Sequence, residues 1–137
     1  MDAYGNAIAY TDGAWQPLTK IDSYYVITAV SCAAATACVA VDFRGRSIVM
    51  SEGVWAAPQR VAPSYYLASV SCPTDVLCRA VDQLGNVYDH SDGSCGLPTL
   101  IARDGNLLSI SCPTTTFCKA VDSAGNVYSF DDGAWSA

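Results

Sequence analysis

The chain has 137 residues, long enough to bury a core, and it is half apolar with only 15% charged residues, which excludes a disordered chain. Seven Lys and Arg against thirteen Asp and Glu give a net charge of −6, which repels nucleic-acid phosphates and anionic membrane surfaces. No apolar run reaches the roughly eighteen residues that a membrane helix needs, so neither nucleic-acid binding nor membrane insertion is expected.

From the N-terminus, Met1 runs straight into Asp2-Ala3-Tyr4-Gly5-Asn6 without a signal-peptide pattern, so the chain reads as a mature segment or a piece of something longer. Asp2, Gly5, Gly13 and Trp15 then recur, forty residues on, as Asp42, Gly45, Gly53 and Trp55. The same shift aligns Ser31-Cys32, Ser71-Cys72 and Ser111-Cys112, and then Ala40-Val41-Asp42, Ala80-Val81-Asp82 and Ala120-Val121-Asp122. A fixed period of this length is the mark of a repeat architecture. The chain divides into a partial unit at 1–22 and repeats at 23–62, 63–102 and 103–137, all in one domain.

Within a period the residues predict four short strands and no helix. In the last repeat these begin with Leu107–Cys112, Phe117–Val121 and Asn126–Phe130; a fourth starts at the tryptophan, as in Trp55–Val61. Asp122 opens the turn before the third strand, where its carboxylate can bond its own backbone and Gly125 can take a positive φ. A turn role outweighs a catalytic one for this aspartate. Alternation puts Ile8, Ile48, Tyr88 and Tyr128 on one face of the third strand, with Tyr10, Met50, His90 and Phe130 two residues later, as a column facing the core. Ala40, Ala80 and Ala120 are always small, as if a neighbouring sheet approached closely there.

Six of the seven cysteines form three equal pairs, Cys32/Cys38, Cys72/Cys78 and Cys112/Cys118. Five residues separate the members of each pair, which is not zinc-knuckle spacing, and His90 is the sole histidine, so disulfides are expected and no metal. Each would staple the hairpin of the first two strands, contributing on the order of 2 kcal/mol. Disulfides imply an oxidising, extracellular compartment. Cys95 stands where the tryptophan should recur, as a free thiol, an intermolecular bridge or a packing substitute.

Four strands per forty residues is the grammar of a β-propeller blade. The run from Ser111-Cys112-Pro113-Thr114 through Phe117-Cys118, Ala120-Val121-Asp122 and Gly125-Asn126-Val127-Tyr128 to Asp132-Gly133 and Trp135 resembles the cysteine-stapled propeller repeats of secreted actinobacterial proteins. That resemblance covers nearly the whole chain. It implies a propeller fold and secretion, and it implies no activity. The Asp-box of sialidase-type propellers fits poorly, because Trp135 lies too near Asp132.

The expected fold is therefore all-β, with about three and a half blades per chain, closed by oligomerisation as a homodimer into a six- or seven-bladed ring. The alternative is a β-trefoil, which also has three forty-residue, four-stranded units but closes as a monomer.

Material for catalysis is sparse. A hydrolytic triad would have to use His90, which occupies a core column. Asp89, Asp92, Asp131 and Asp132 could pair for glycoside hydrolysis, but Asp131 and Asp132 fall in a turn. No phosphate loop or calcium loop is present, and no cofactor is expected. Binding has better material. Tyrosines and tryptophans offer flat faces with a polar edge, suited to sugar rings and protein hot spots. The candidate ligand-binding residues are Tyr24, Tyr25, Tyr65 and Tyr66 before the first strands, Trp15, Trp55 and Trp135, and Asn86 and Asn126. Asp104-Gly105-Asn106 replaces the tyrosines in the third repeat. The function expected first is a non-catalytic, lectin-like carbohydrate-binding module with pockets between blades. The alternative is a structural or protein-interaction propeller, and an extracellular hydrolase comes third.

Overall fold

The computed structural model describes residues 1–63 and 66–137. Among these the regular elements are strands, every pairing between them is antiparallel, and there is no helix. The first complete sheet contains Ile27–Ala34, Ala37–Asp42 and Arg46–Ser51, with Val54–Trp55 and Gln59–Arg60 on its outer edge. The second repeats it with Leu67–Ser71, Leu77–Asp82, Asn86–Ser91, Ser94–Cys95 and Thr99–Leu100. The third contains Leu107–Thr114, Phe117–Asp122, Val127–Asp131 and Ala134–Ser136. Before them, Asn6–Ala7 pairs with Thr19–Lys20 and Tyr10–Thr11 with Ala14–Trp15, supplying only the outer two strands of a sheet.

The predicted fourth strand is two pieces. Trp55 pairs with Met50 at one end of the third strand, and Gln59 pairs with Ser47 towards the other. Pro58 lies between them, has no N–H, and cannot continue the ladder.

The turns repeat atom by atom. The Asp42 Oδ1 accepts the backbone N–H groups of Arg44 and Arg46, Asp82 those of Leu84 and Asn86, and Asp122 those of Ala124 and Asn126. Asp2 does the same for Tyr4 and Asn6. The aspartates at this place hold turns, as the sequence suggested. Gly85 has φ 85°, and a Cβ there would lie 1.8 Å from the Ala102 carbonyl oxygen, so conformation and space both demand glycine. The hairpin after the third strand has positive φ at both central residues, Asp92 and Gly93, which is the primed turn that suits strand twist. The three disulfides are formed as expected, and in the first sheet Cys32 lies directly opposite Cys38 in the ladder.

The sheets pack face to face, with their first strands innermost: Leu67–Ser71 lies against both Ile27–Ala34 and Leu107–Thr114. Between the first and second sheets the core contains Val41, Ala62, Leu67, Val70, Ala80 and Tyr88. Between the second and third it contains Val81, Val87, Ala102, Leu107, Ile110 and Tyr128. Hydrogen bonds cross the same junctions. Ser31 Oγ accepts the Cys72 N–H at 2.9 Å, and Ser71 Oγ accepts the Cys112 N–H at 2.9 Å. Each repeat thus completes its own sheet and stacks on the next, which excludes the trefoil, where the repeats would share one barrel.

Ala40, Ala80 and Ala120 are buried, as close sheet approach requires. The aromatic column is core only in part. Ile48, Tyr88, Tyr128 and Phe130 are buried and Met50 and His90 half-buried, but Ile8 and Tyr10 are exposed, at 41% and 59%. They face outward from the partial sheet, and among the described residues no further sheet covers them. At the opposite end Val121 and Val127 are likewise exposed on the far face of the third sheet.

Candidate functional site: the grooves between sheets

The residues singled out from sequence do not converge. Trp55 and Trp135 are half-buried packing residues, set against the inter-sheet cores. Trp15 is exposed, with its ring edge-on to Tyr10 at 5.1 Å. The Asn86 amide donates to the Asp82 carboxylate at 3.0 Å, and that of Asn126 donates to Asp122 at 2.9 Å, so these amides serve their own turns. The Tyr128 hydroxyl also donates to Asp122, at 2.9 Å. Hydrogen bonds from Asn126 above all, with those from Tyr128 and Ala124, lower the Asp122 carboxyl from its ordinary 3.8 to about 2.

Tyr24 projects into solvent, 83% exposed. Tyr25 beside it is engaged, its ring 4.5 Å from the Arg46 guanidinium and 5.1 Å from that of Arg44. Arg46 also bridges the buried carboxylates of Asp22 and Asp42. Burial pushes the Asp22 carboxyl up, but the N–H groups of Tyr24 and Tyr25 and the charge of Arg46 together outweigh it and hold it below its ordinary value. Tyr66 is half-buried with its ring edge-on to Phe43 at 5.3 Å. Tyr65 lies outside the described residues.

Two grooves open between the outer strands of adjacent sheets, and the forty-residue register makes them equivalent. In the second-to-third groove, Trp135 pairs across its hairpin with Phe130, ring centroids 5.3 Å apart. Arg79 reaches over from the second sheet, its guanidinium 4.1 Å from the Phe130 ring. It bonds Asp89 at 3.1 Å and the Thr115 carbonyl at 3.0 Å. Open space of 440 Å³ remains.

In the first-to-second groove the arginine and both rings give way to smaller groups, and the carboxylate to an apolar one. Val39 and Val49 stand for Arg79 and Asp89, and His90 and Cys95 for Phe130 and Trp135. The cavity measures 720 Å³, with Arg60, Asp75, Val76 and Asp92 also on its walls. Burial lowers the His90 pKa, which favours the neutral imidazole, and burial raises the Cys95 thiol. Cys95 is a free cysteine held as thiol, not the thiolate a nucleophile requires. Among the described residues no group of three or more His, Cys, Asp or Glu side chains could hold a metal ion.

No family model matches the chain, and no curated protein matches it. Solved structures do. The WD40 repeats of RRP9 superpose with a TM-score of 0.81 at 6% identity, over 98% of this chain and 44% of that one. YCF48 from Cyanidioschyzon merolae gives 0.73 at 14% identity, over 94% and 45%. YCF48 bound to D1 peptide gives 0.68 at 17% identity, over 81% and 40%.

The fold is a β-propeller. The chain spans less than half the length of each of these structures, and at such identities the likeness is one of fold.

Sequence reasoning noticed Cys95 but missed its partner in effect, Val39, which faces the same space from the preceding repeat. It also passed over Ser31 and Ser71 of the Ser-Cys pairs, whose hydroxyls tie one sheet to the next. The signal was present in both cases: a residue that varies, or never varies, at one place in the period.

Proposed function

We propose that this chain is a non-catalytic extracellular binding module whose ligands are proteins or peptides, received in the groove between the first and second sheets. The supporting observation is that groove itself: 720 Å³ of concave space, against 440 Å³ at the equivalent junction. Its walls combine apolar Val39, Val49 and Val76 with charged Arg60, Asp75 and Asp92, the mixture of apolar and polar groups found at protein interfaces. Neither His90 nor Cys95 is tuned for acid–base or nucleophilic work, which speaks against a hydrolase. YCF48, one of the similar structures, is bound to a peptide.

Carbohydrate binding is the less supported reading, because Trp55 and Trp135 are engaged in packing and the Asn86 and Asn126 amides in their own turns, while the exposed Trp15 and Tyr24 lie apart from the groove. The disulfides favour an oxidising, extracellular setting, in line with the resemblance to secreted actinobacterial repeats. Among the described residues no helix is long and apolar enough to cross a membrane. Residues 1–137 form one domain in this proposal, with units at 1–22, 23–62, 63–102 and 103–137. Its uncovered faces, Ile8, Tyr10 and Trp15 at one end and Val121 and Val127 at the other, are closed by a second copy to give a ring of six or seven blades.

The disulfide-intact protein should bind members of a peptide array and none of a glycan array. Glycan binding without peptide binding would reverse the order of the two readings. Solution mass tests the ring: a compact monomer at micromolar concentration removes the second copy.

A further inference from the structure

We propose that the groove between the first and second sheets is a slot for an aromatic side chain lying beside a cationic one, both carried by a peptide segment of a partner protein. The inference rests on the protein-binding reading above and specifies its ligand.

The chain contains its own template for the occupant. Four equivalent cross-strand pairs line the outer hairpins: Tyr10 with Trp15, Met50 with Trp55, His90 with Cys95, and Phe130 with Trp135. Three contain an indole. In the third sheet that indole and the Arg79 guanidinium sit on Phe130 together, so the site's backbone geometry accommodates a ring with a cation against it. At the first-to-second junction the same backbone carries cysteine for the indole and Val39 for the arginine, and the volume rises from 440 to 720 Å³. The fold leaves space there for the two kinds of side chain that fill the neighbouring groove.

Charge points the same way. Thr115, whose carbonyl accepts from Arg79, has Asp75 as its counterpart on the wall of the larger groove, and Asp92 lies nearby. Arg60 is the cationic side chain on these walls, and its guanidinium donates to the Ala62 carbonyl at 3.3 Å. A guest cation finds carboxylates where Arg79 finds a carbonyl, while its ring meets Val39, Val49 and Val76. A ring alone would make no use of the exposed carboxylates, and a cation alone would leave the valines wet.

The test uses the full, disulfide-bonded chain. A random displayed-peptide library is panned against it, and the probe acetyl-Gly-Trp-Gly-Arg-Gly-amide is titrated directly, with Ala for Trp and Glu for Arg as controls. Selected peptides should pair Trp or Tyr with a nearby Arg or Lys, and either change in the probe should weaken binding. Val39→Arg combined with Cys95→Trp refills the slot and should weaken binding at least about tenfold, the worth of one well-buried ring. Should the refilled variant not fold, Asp75→Asn with Asp92→Asn should cost about threefold against the cationic probe and nothing against its Glu version. Peptides that lack the pattern, or that bind the refilled variant equally well, overturn the slot and leave protein binding standing. Binding of no peptide at all overturns both.

Discussion

The two inter-sheet grooves share a backbone and differ in contents. Around both run the aspartate-held turns, the paired cysteines and the serine links, repeated atom by atom. Inside, one holds an arginine, two aromatic rings and a carboxylate, and the other holds two valines, a histidine and a thiol. The frame is thus built from groups that satisfy backbone atoms, and the groove lining can vary without disturbing it. On the proposed binding reading, the first set serves stability and the second selectivity.

Substitutions can sharpen or break that division. The largest effect is expected from the shared frame. Asp82→Ala leaves the N–H groups of Leu84 and Asn86 and the Tyr88 hydroxyl without their acceptor, in a buried place, and should cost about 3 kcal/mol in urea unfolding. A loss below about 1 kcal/mol, the worth of a single hydrogen bond, would show that the turn is not what holds the frame. Next comes the filled groove: Trp135→Ala should cost about 2 kcal/mol, less than a fully buried ring because Trp135 is half-buried. The open groove should respond with the opposite sign. Cys95→Trp should raise the midpoint of thermal unfolding, with a gain of about 1 kcal/mol; a fall would mean the space cannot receive an indole.

The smallest effect concerns pH. The native Asp122 carboxyl is depressed from 3.8 to about 2 by bonds that favour its charged form. The stability it supplies is complete above 3.8 and is lost as pH falls through about 2, because the unfolded chain takes up the proton first. In acid titrations followed by circular dichroism, Asp122→Asn should flatten the fall in stability over that window.

Much of the frame was legible in the sequence because a period multiplies weak signals. One aspartate before a glycine suggests little, whereas Asp2, Asp42, Asp82 and Asp122 at one place identify a turn. Alternation told which side of a strand Ile8 and Tyr10 occupy, but not whether another sheet would cover that side. Pro58 was plain to see, and its consequence, a fourth strand in two pieces, depends on which strand it would have paired with. The grooves were the hardest to read. Each is made by two repeats facing one another, so Val39 and Cys95 become neighbours only once the sheets are stacked. Tyrosine and tryptophan attracted notice by type, yet what matters is what each ring touches: Arg44 and Arg46 for Tyr25, Phe43 for Tyr66.

The serine links have a direction. Ser31 accepts from the sheet after its own and Ser71 from the one after that, never backwards, and Ser111 presents the same hydroxyl outward from the exposed end. A stack built this way has a head and a tail with unlike chemistry. Two such arcs can extend one another only nose to tail, so two copies related by a twofold axis would need two identical seams, each joining unlike ends, and a back-to-back pair would leave every outward hydroxyl unanswered.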